Sequence, residues 1–174
     1  MIDVSTKLEH FDRYMNWEEA GKISGLDASQ VDKLKSLCLQ IDGIITECCK
    51  KAQIKNVDGK FEFGMSPAGE IIVIDVLGTP DECRFLYGDF HISKEFARRW
   101  YRKTEWYREV EAAKKDHGDD WKTYVKTKPL PLPPDMKKLL SFMYQAVTNE
   151  ISDKKFFDVP SLDRIIAELV KYDG

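Results

Sequence analysis

The chain has 174 residues, with 27 Lys plus Arg against 30 Asp plus Glu and a formal net charge of −3. Hydrophobic residues make up 43% and charged residues 33%, a balance that gives a globular chain and excludes a disordered one. A slightly acidic chain lacks the net basic surface of a nonspecific nucleic-acid binder, and no stretch reaches the roughly 20 apolar residues of a membrane span.

One domain over residues 1–174 is expected at this length. The opening Met1-Ile2-Asp3-Val4-Ser5-Thr6-Lys7 carries no apolar leader run. Cys38, Cys48, Cys49 and Cys83 show no Cys-x-x-Cys spacing, which points to free thiols in a cytoplasmic protein. The sequence has no Gly-x-Gly-x-x-Gly and no Gly-Lys-Ser/Thr loop for phosphates.

In chain order, Asn16 with Glu19 forms a capping box and Gly25 a stop, which predicts a short first helix. Asp27 with Gln30 opens a longer one. Its stripe, Val31, Leu34, Cys38, Ile41, Ile45, Cys48 and Ala52, steps by three and four along a single face. The period then changes to two. Val57, Phe61, Phe63 and Met65 alternate with Asp58, Lys60, Glu62 and Gly64, Ser66-Pro67-Ala68-Gly69 is a turn, and Glu70 to Val76 is a second strand. Ser93 caps a helix with the stripe Phe96, Trp100, Lys103, Tyr107 and Val110. Residues 128–134, Lys128-Pro129-Leu130-Pro131-Leu132-Pro133-Pro134, form a stiff connector inside the domain. Leu139, Leu140, Met143, Val147 and Ile151 mark another helix, and Leu162, Ile165, Ile166 and Leu169 a last one opened by Pro160-Ser161. The outline is α+β, a small antiparallel sheet with a central hairpin packed against several helices.

Two charged clusters stand out. A four-residue turn pairs Met65 with Glu70, so that Glu62 faces Val73 and Lys60 faces Asp75. Asp58, Lys60, Glu62 and Asp75 then share a face, and the α-carbons of Glu62 and Asp75 lie roughly 7–8 Å apart. Two carboxylates at that spacing can share a magnesium ion completed by phosphate oxygens and water, with Lys60 as a point charge beside them. The alternative is the wet face of a half-exposed hairpin. In the second cluster, Thr79-Pro80-Asp81 turns the chain ahead of Arg84, and Lys94 and Arg98 lie one turn apart at the start of the Ser93 helix. Either they form an anion pocket or they are solvated and pair with Glu95 or Glu105.

These residues carry a resemblance. Val57-Asp58-Gly59-Lys60-Phe61-Glu62-Phe63-Gly64 resembles the Val-Asp-x-Lys-x-Glu-Phe-Gly signature of the SAICAR synthetase (phosphoribosylaminoimidazole-succinocarboxamide synthase) family. Asp75, Thr79-Pro80-Asp81, Arg84-Phe85 and Ser93-Lys94-Glu95-Phe96-x-Arg98 follow in that family's order, and Ser5-Thr6-Lys7-Leu8-Glu9 resembles its Ser-Thr-Lys-x-Glu element. The resemblance implies an ATP-dependent ligase of de novo purine synthesis. Such an enzyme joins L-aspartate to the carboxylate of carboxyaminoimidazole ribotide, giving SAICAR, ADP and phosphate. By that resemblance Glu62 and Asp75 hold magnesium at the ATP phosphates, and Lys60 stabilises charge as the carboxylate is activated. Arg84 takes the ribotide phosphate, Asp58 and Asp81 lie near its ribose or imidazole, and Lys94 and Arg98 sit at the pocket rim. Lys7, and Asp12 of His10-Phe11-Asp12, carry over with less of the motif behind them.

Two departures accompany the likeness. Asp75-Val76 stands where the family has Asp-Glu. The likeness also covers only the family's C-terminal portion, without the β-rich lobe that bears the nucleotide loop. The expectation is a half-enzyme whose partner is an N-terminal ATP-binding lobe, from another chain or the rest of the gene, with homo-oligomers left open. The alternative is a noncatalytic binding or assembly module that keeps the C-terminal fold.

Overall fold

The computed structural model describes residues 1–7, 9 and 12–173. They group into two compact units, one of Met1–Ile44 with Phe61–Asp75, the other of Ile45–Lys60 with Val76 onward.

The first unit opens with two short strands, β1 (Val4–Ser5) and β2 (Tyr14–Met15), paired antiparallel. Helix α1 (Trp17–Ser24) begins where the Asn16 side chain accepts the Glu19 N–H and ends at Gly25, whose φ of 72° is the left-handed cap that glycine adopts without strain. Asp27 and Gln30 exchange side-chain-to-backbone hydrogen bonds of 2.8 and 3.0 Å. That reciprocal cap starts α2 (Ala28–Lys51), as the sequence predicts. The hairpin of β4 (Phe63–Met65) and β5 (Ile71–Val73) completes the unit.

The second unit is built on an antiparallel sheet in the order β3 (Ile54–Gly59), β6 (Cys83–Tyr87), β7 (Phe90–His91). Around it lie α3 (Lys94–Arg102), α4 (Glu105–His117), α5 (Trp121–Tyr124), α6 (Pro134–Ser152) and α7 (Leu162–Leu169). Its interior holds Cys49, Ile54, Phe85, Ile92, Phe96, Met143, Val147 and Ile165, all nearly inaccessible to water. Cys49 is a free thiol there, pushed up to about 12 by burial and by the neighbouring Cys83 and Cys48. Helix α6 starts with Pro134 in its first turn, where a missing N–H costs nothing.

The mixed α+β outline is observed, but two elements differ from expectation. The alternating run from Val57 to Met65 is two strands in two sheets, not one arm of a hairpin. A bulge between Asn56 and Asp58 re-aims β3, and the Lys60 N–H donates to the Glu82 carbonyl at 3.0 Å. Lys60 therefore continues the β3–β6 pairing and does not oppose Asp75. The helix from Ser93 breaks at Lys103, because the Thr104 hydroxyl accepts the Tyr107 N–H and caps a new helix, α4. Lys103 caps α3 and leaves the expected stripe.

Candidate functional site

The β4–β5 turn decides how its charged residues are placed. Ser66 N–H donates to the Glu70 carbonyl at 2.8 Å and Gly69 N–H to the Ser66 carbonyl at 2.9 Å. Gly69 has a φ of 80°. The loop between the last paired residues is thus Pro67-Ala68-Gly69, three residues closing on a left-handed glycine. Met65 opposes Ile71, Gly64 opposes Ile72 and Phe63 opposes Val73. This is a one-residue slip from the expected pairing of Met65 with Glu70, and such a slip turns side chains to the other face.

Glu62 consequently falls in line with Ile74, whose N–H donates to the Glu62 carbonyl at 3.1 Å, and not with Val73. Asp75 follows the last ladder pair in a bend. The ladder does not make Glu62 and Asp75 diagonal neighbours. The expected apolar face is also altered, since Phe61 and Phe63 are half-buried while Val57 and Met65 are exposed. A Cβ on Gly64 would lie 3.0 Å from Ile74 Cγ2, so the glycine of the signature is where a side chain from the second strand crosses the first.

The Glu62 carboxylate is mostly shielded and is ion-paired with Lys7 Nζ. Lys7 and Glu62 are both residues singled out from the sequence, and the structure joins them. Asp12 is exposed, and His10 and Phe11 of the same element lie outside the described residues.

In the second unit the β3 bulge sets Asp58 opposite Arg84 in the ladder. Arg84 Nε donates to Asp58 Oδ1 at 2.8 Å and its terminal nitrogen donates to Oδ2, a two-pronged pair in the guanidinium–carboxylate geometry. Both side chains remain about half exposed, so an anion from solvent can reach the same guanidinium.

Lys94 lines a cavity of about 400 Å³ between α3 and α6, together with Ser93, Ala97, Ser141, Tyr144 and Gln145 among others. Ser93 is buried and caps α3 by accepting the Glu95 N–H. The Lys94 N–H donates to the Pro80 carbonyl at 3.0 Å, which ties the Thr79-Pro80-Asp81 turn to the start of the helix. Lys94 Nζ lies 3.8 Å from Glu82, and Arg98 lies 3.8 Å from the buried Glu95, which also accepts Arg102 at 2.5 Å. Arg98 thus takes the Glu95 partner that sequence spacing offered, whereas Lys94 turns to Glu82.

Sequence reasoning missed Tyr144. Its hydroxyl is pushed up to about 12, first by burial and then by the Asp81 charge, with Arg98 opposing. Lys94 and Tyr144 therefore line one cavity, and the charges of Asp81 and Arg98 both act on that tyrosine. Tyr144 follows Met143 of the apolar stripe, and an aromatic bordering that stripe is the signal that could have found it.

These features define an α+β protein with cation–carboxylate pairs at its strand ends and a cavity beside a helix start. The chain belongs to the SAICAR synthetase family, whose pattern matches residues 1–114. It is 43% identical over 97% of its length to an Archaeoglobus fulgidus protein named "Putative phosphoribosylaminoimidazole-succinocarboxamide synthase", covering 50% of that protein. It is 28% identical over 90% of its length to the phosphoribosylaminoimidazole-succinocarboxamide synthase of Thermoplasma acidophilum, covering 53% of it. The chain thus spans about half the length of the curated relatives it matches. Among solved structures, "SAICAR synthetase (Type-2) in complex with ADP" superposes with a TM-score of 0.56 at 21% identity, over 84% of this chain and 48% of that one. The Type-1 structure from Pyrococcus horikoshii OT3 gives 0.55 at 20% identity, over the same shares. At those identities the superpositions show the fold. Among the described residues, no helix is long and apolar enough to cross a membrane.

Proposed function

We propose that this chain is the substrate and magnesium half of an ATP-dependent ligase of de novo purine biosynthesis, working in the cytoplasm. It joins L-aspartate to carboxyaminoimidazole ribotide once an ATP-binding lobe, from another chain or the rest of the gene, completes it. The observation that carries this reading is the 43% identity to the Archaeoglobus fulgidus relative over 97% of the chain.

In this scheme Arg84 binds the ribotide phosphate as a bidentate donor, exchanging Asp58 for the ligand or sharing it. Asp58 and Asp81 contact the ribose or imidazole, and Lys94 and Arg98 draw the substrate's negative charge to the cavity mouth. Lys60 stabilises the charge that builds on the carboxylate as it is activated, an effect that grows with exclusion of water. Lys7 holds the Glu62 carboxylate in place, and Asp12 lies on the same segment of chain.

Glu62 and Asp75 are the residues that would hold magnesium. Their donor set fits that ion in kind, being hard carboxylate oxygens. Two carboxylates also match the number magnesium takes, one or two beside phosphate and water. When bound, it would neutralise phosphate charge during phosphoryl transfer. Since the strand register does not align the two carboxylates, their assignment rests on the family signature.

The test is to join this chain to the half of the Archaeoglobus fulgidus relative that it does not match and to measure ADP release. The expected result is ADP formation that needs both L-aspartate and the ribotide and falls at least a hundredfold in Lys60→Ala. Absence of ribotide-dependent ADP in the folded chimaera overturns the reading. A second reading, a noncatalytic binding or assembly module, draws on the pairing of Glu62 with Lys7 and of Asp58 with Arg84, which neutralises four of the candidate charges. It predicts a chimaera that assembles but releases no ADP.

A further inference from the structure

The Thr79-Pro80-Asp81 turn is closed by its own first residue. Thr79 Oγ1 accepts the Glu82 N–H at 3.3 Å, and the Thr79 carbonyl accepts the Cys83 N–H at 2.9 Å. Proline has no N–H to donate, so the buried Pro80 is tied to its surroundings through its carbonyl. Two donors meet there, the Lys94 N–H at 3.0 Å and the Tyr144 hydroxyl at 3.5 Å. The first N–H groups of a helix have no partner within it. At the start of α3, Ser93 takes that of Glu95 and Pro80 takes that of Lys94. All these residues belong to the second unit.

The other donor comes from far along the chain. Tyr144 is on α6, 64 residues beyond Pro80, and outside the residues 1–114 that the family pattern matches. Its ring is half-buried in the wall of the cavity that Ser93 and Lys94 also line. With its hydroxyl pushed up to about 12, by burial first and then by the Asp81 charge, it keeps its proton and remains a donor at neutral pH. A contact of 3.5 Å is long for a hydrogen bond, so it trims the position of the turn and contributes little to the fold. Asp81 is exposed, and its carboxylate takes its direction from the turn that carries it. Arg84 is held separately, in the β3–β6 ladder opposite Asp58. A displacement of the turn therefore changes the spacing between Asp81 and Arg84, and misplacement on the scale of 1 Å is enough to weaken a substrate site.

We infer that Tyr144 is a positioning residue, whose hydroxyl fixes the Pro80 carbonyl against the start of α3 and so sets where Asp81 stands relative to Arg84. The inference deepens the reading above and rests on it for the part Asp81 plays at the ribose or imidazole.

The experiment uses this chain, ribose 5-phosphate as the probe, and the variants Tyr144→Phe, Asp81→Asn and the two combined. Without the hydroxyl the turn parts from α3 more often, so amide exchange at Lys94 is expected to speed up about fivefold in Tyr144→Phe, the factor that corresponds to one hydrogen bond. Each single variant is expected to weaken ribose 5-phosphate binding about fivefold. The double variant binds no more weakly than Asp81→Asn, because the tyrosine acts through that carboxylate. A purely structural role would appear in the ligand-free melting temperature instead, which Tyr144→Phe is expected to hold within about 4 °C. Tyr124→Phe, the same change at an exposed tyrosine of α5, leaves exchange and affinity at the parent values. Unchanged exchange at Lys94, or effects on affinity that multiply in the double variant, overturns the inference, and the ligase reading then stands or falls on ADP release by the chimaera. Coupled variants with no ribotide-dependent ADP from the chimaera keep the positioning role and remove the ligase reading. A parent chain that does not respond to ribose 5-phosphate overturns the part given to Asp81 and the inference with it.

Discussion

Replacing Arg84 with alanine separates a binding role from a structural one. Arg84 and Asp58 are joined by two hydrogen bonds, but their side chains are 48% and 46% exposed. An ion pair that open to water is screened, so its loss costs at most about 1 kcal/mol, or roughly 2–4 °C in melting temperature for a chain of this size. Binding is affected far more. A charge-assisted contact to phosphate contributes about 1.5–3 kcal/mol, so alanine weakens phosphate binding roughly tenfold to a hundredfold. A phosphate ligand at about a hundred times its Kd stabilises the native chain by roughly 2.7 kcal/mol. At that same concentration the variant retains roughly 0.4–1.4 kcal/mol. Thermal melting with and without ribose 5-phosphate reads both quantities in one titration, with Arg84→Lys as the charge-conserving control. A ligand-free loss above about 2 kcal/mol, or an undiminished ligand response, would refute the assignment of Arg84 to the phosphate.

Two further outcomes follow from the same geometry. Phe85 is fully buried in the sheet of the second unit, so Phe85→Ala should cost about 3–5 kcal/mol in urea unfolding, against less than about 1 kcal/mol for Ile74→Ala at its exposed position. Glu109 accepts the Thr127 hydroxyl and the backbone N–H groups of Lys126 and Thr127 at 2.8 and 2.9 Å, and these bonds, the Thr127 hydroxyl first, hold its carboxyl below the usual range. A depressed carboxyl contributes stability above its unfolded pKa and loses it as pH falls through the folded one. Glu109→Gln should therefore lower the melting temperature at neutral pH, with the gap to the parent closing below about pH 4.5; a gap that stays constant to lower pH refutes the sign.

Much of the fold is local and was legible for that reason. The caps at Asn16, Asp27 and Ser93 and the stop at Gly25 each depend on bonds within four residues, whereas Pro134, read as the end of the stiff connector, is the first residue of α6. The family signature was legible too, since it is a string of residue types. What a string does not carry is which partner each residue meets. Lys60 reads as the neighbour of Asp75, and the structure gives its N–H to Glu82. Glu62 reads as a partner of Asp75, and the structure gives its carboxylate to Lys7, more than fifty residues away.

The sequence by itself determined the α+β class, the positions of the main helices and the set of charged residues from which a site could be built. The tertiary structure alone decided the hairpin register, the split of one apparent strand between two sheets, and the meeting of Lys94 and Tyr144 at one cavity. The physical reason is the range of the forces involved. Helix caps and amphipathic stripes are settled by neighbours a turn away, whereas a three-residue loop in place of a four-residue one reverses the face of every later side chain. Whether a helix from residue 134 onward walls a cavity beside residue 94 is settled only when the core closes.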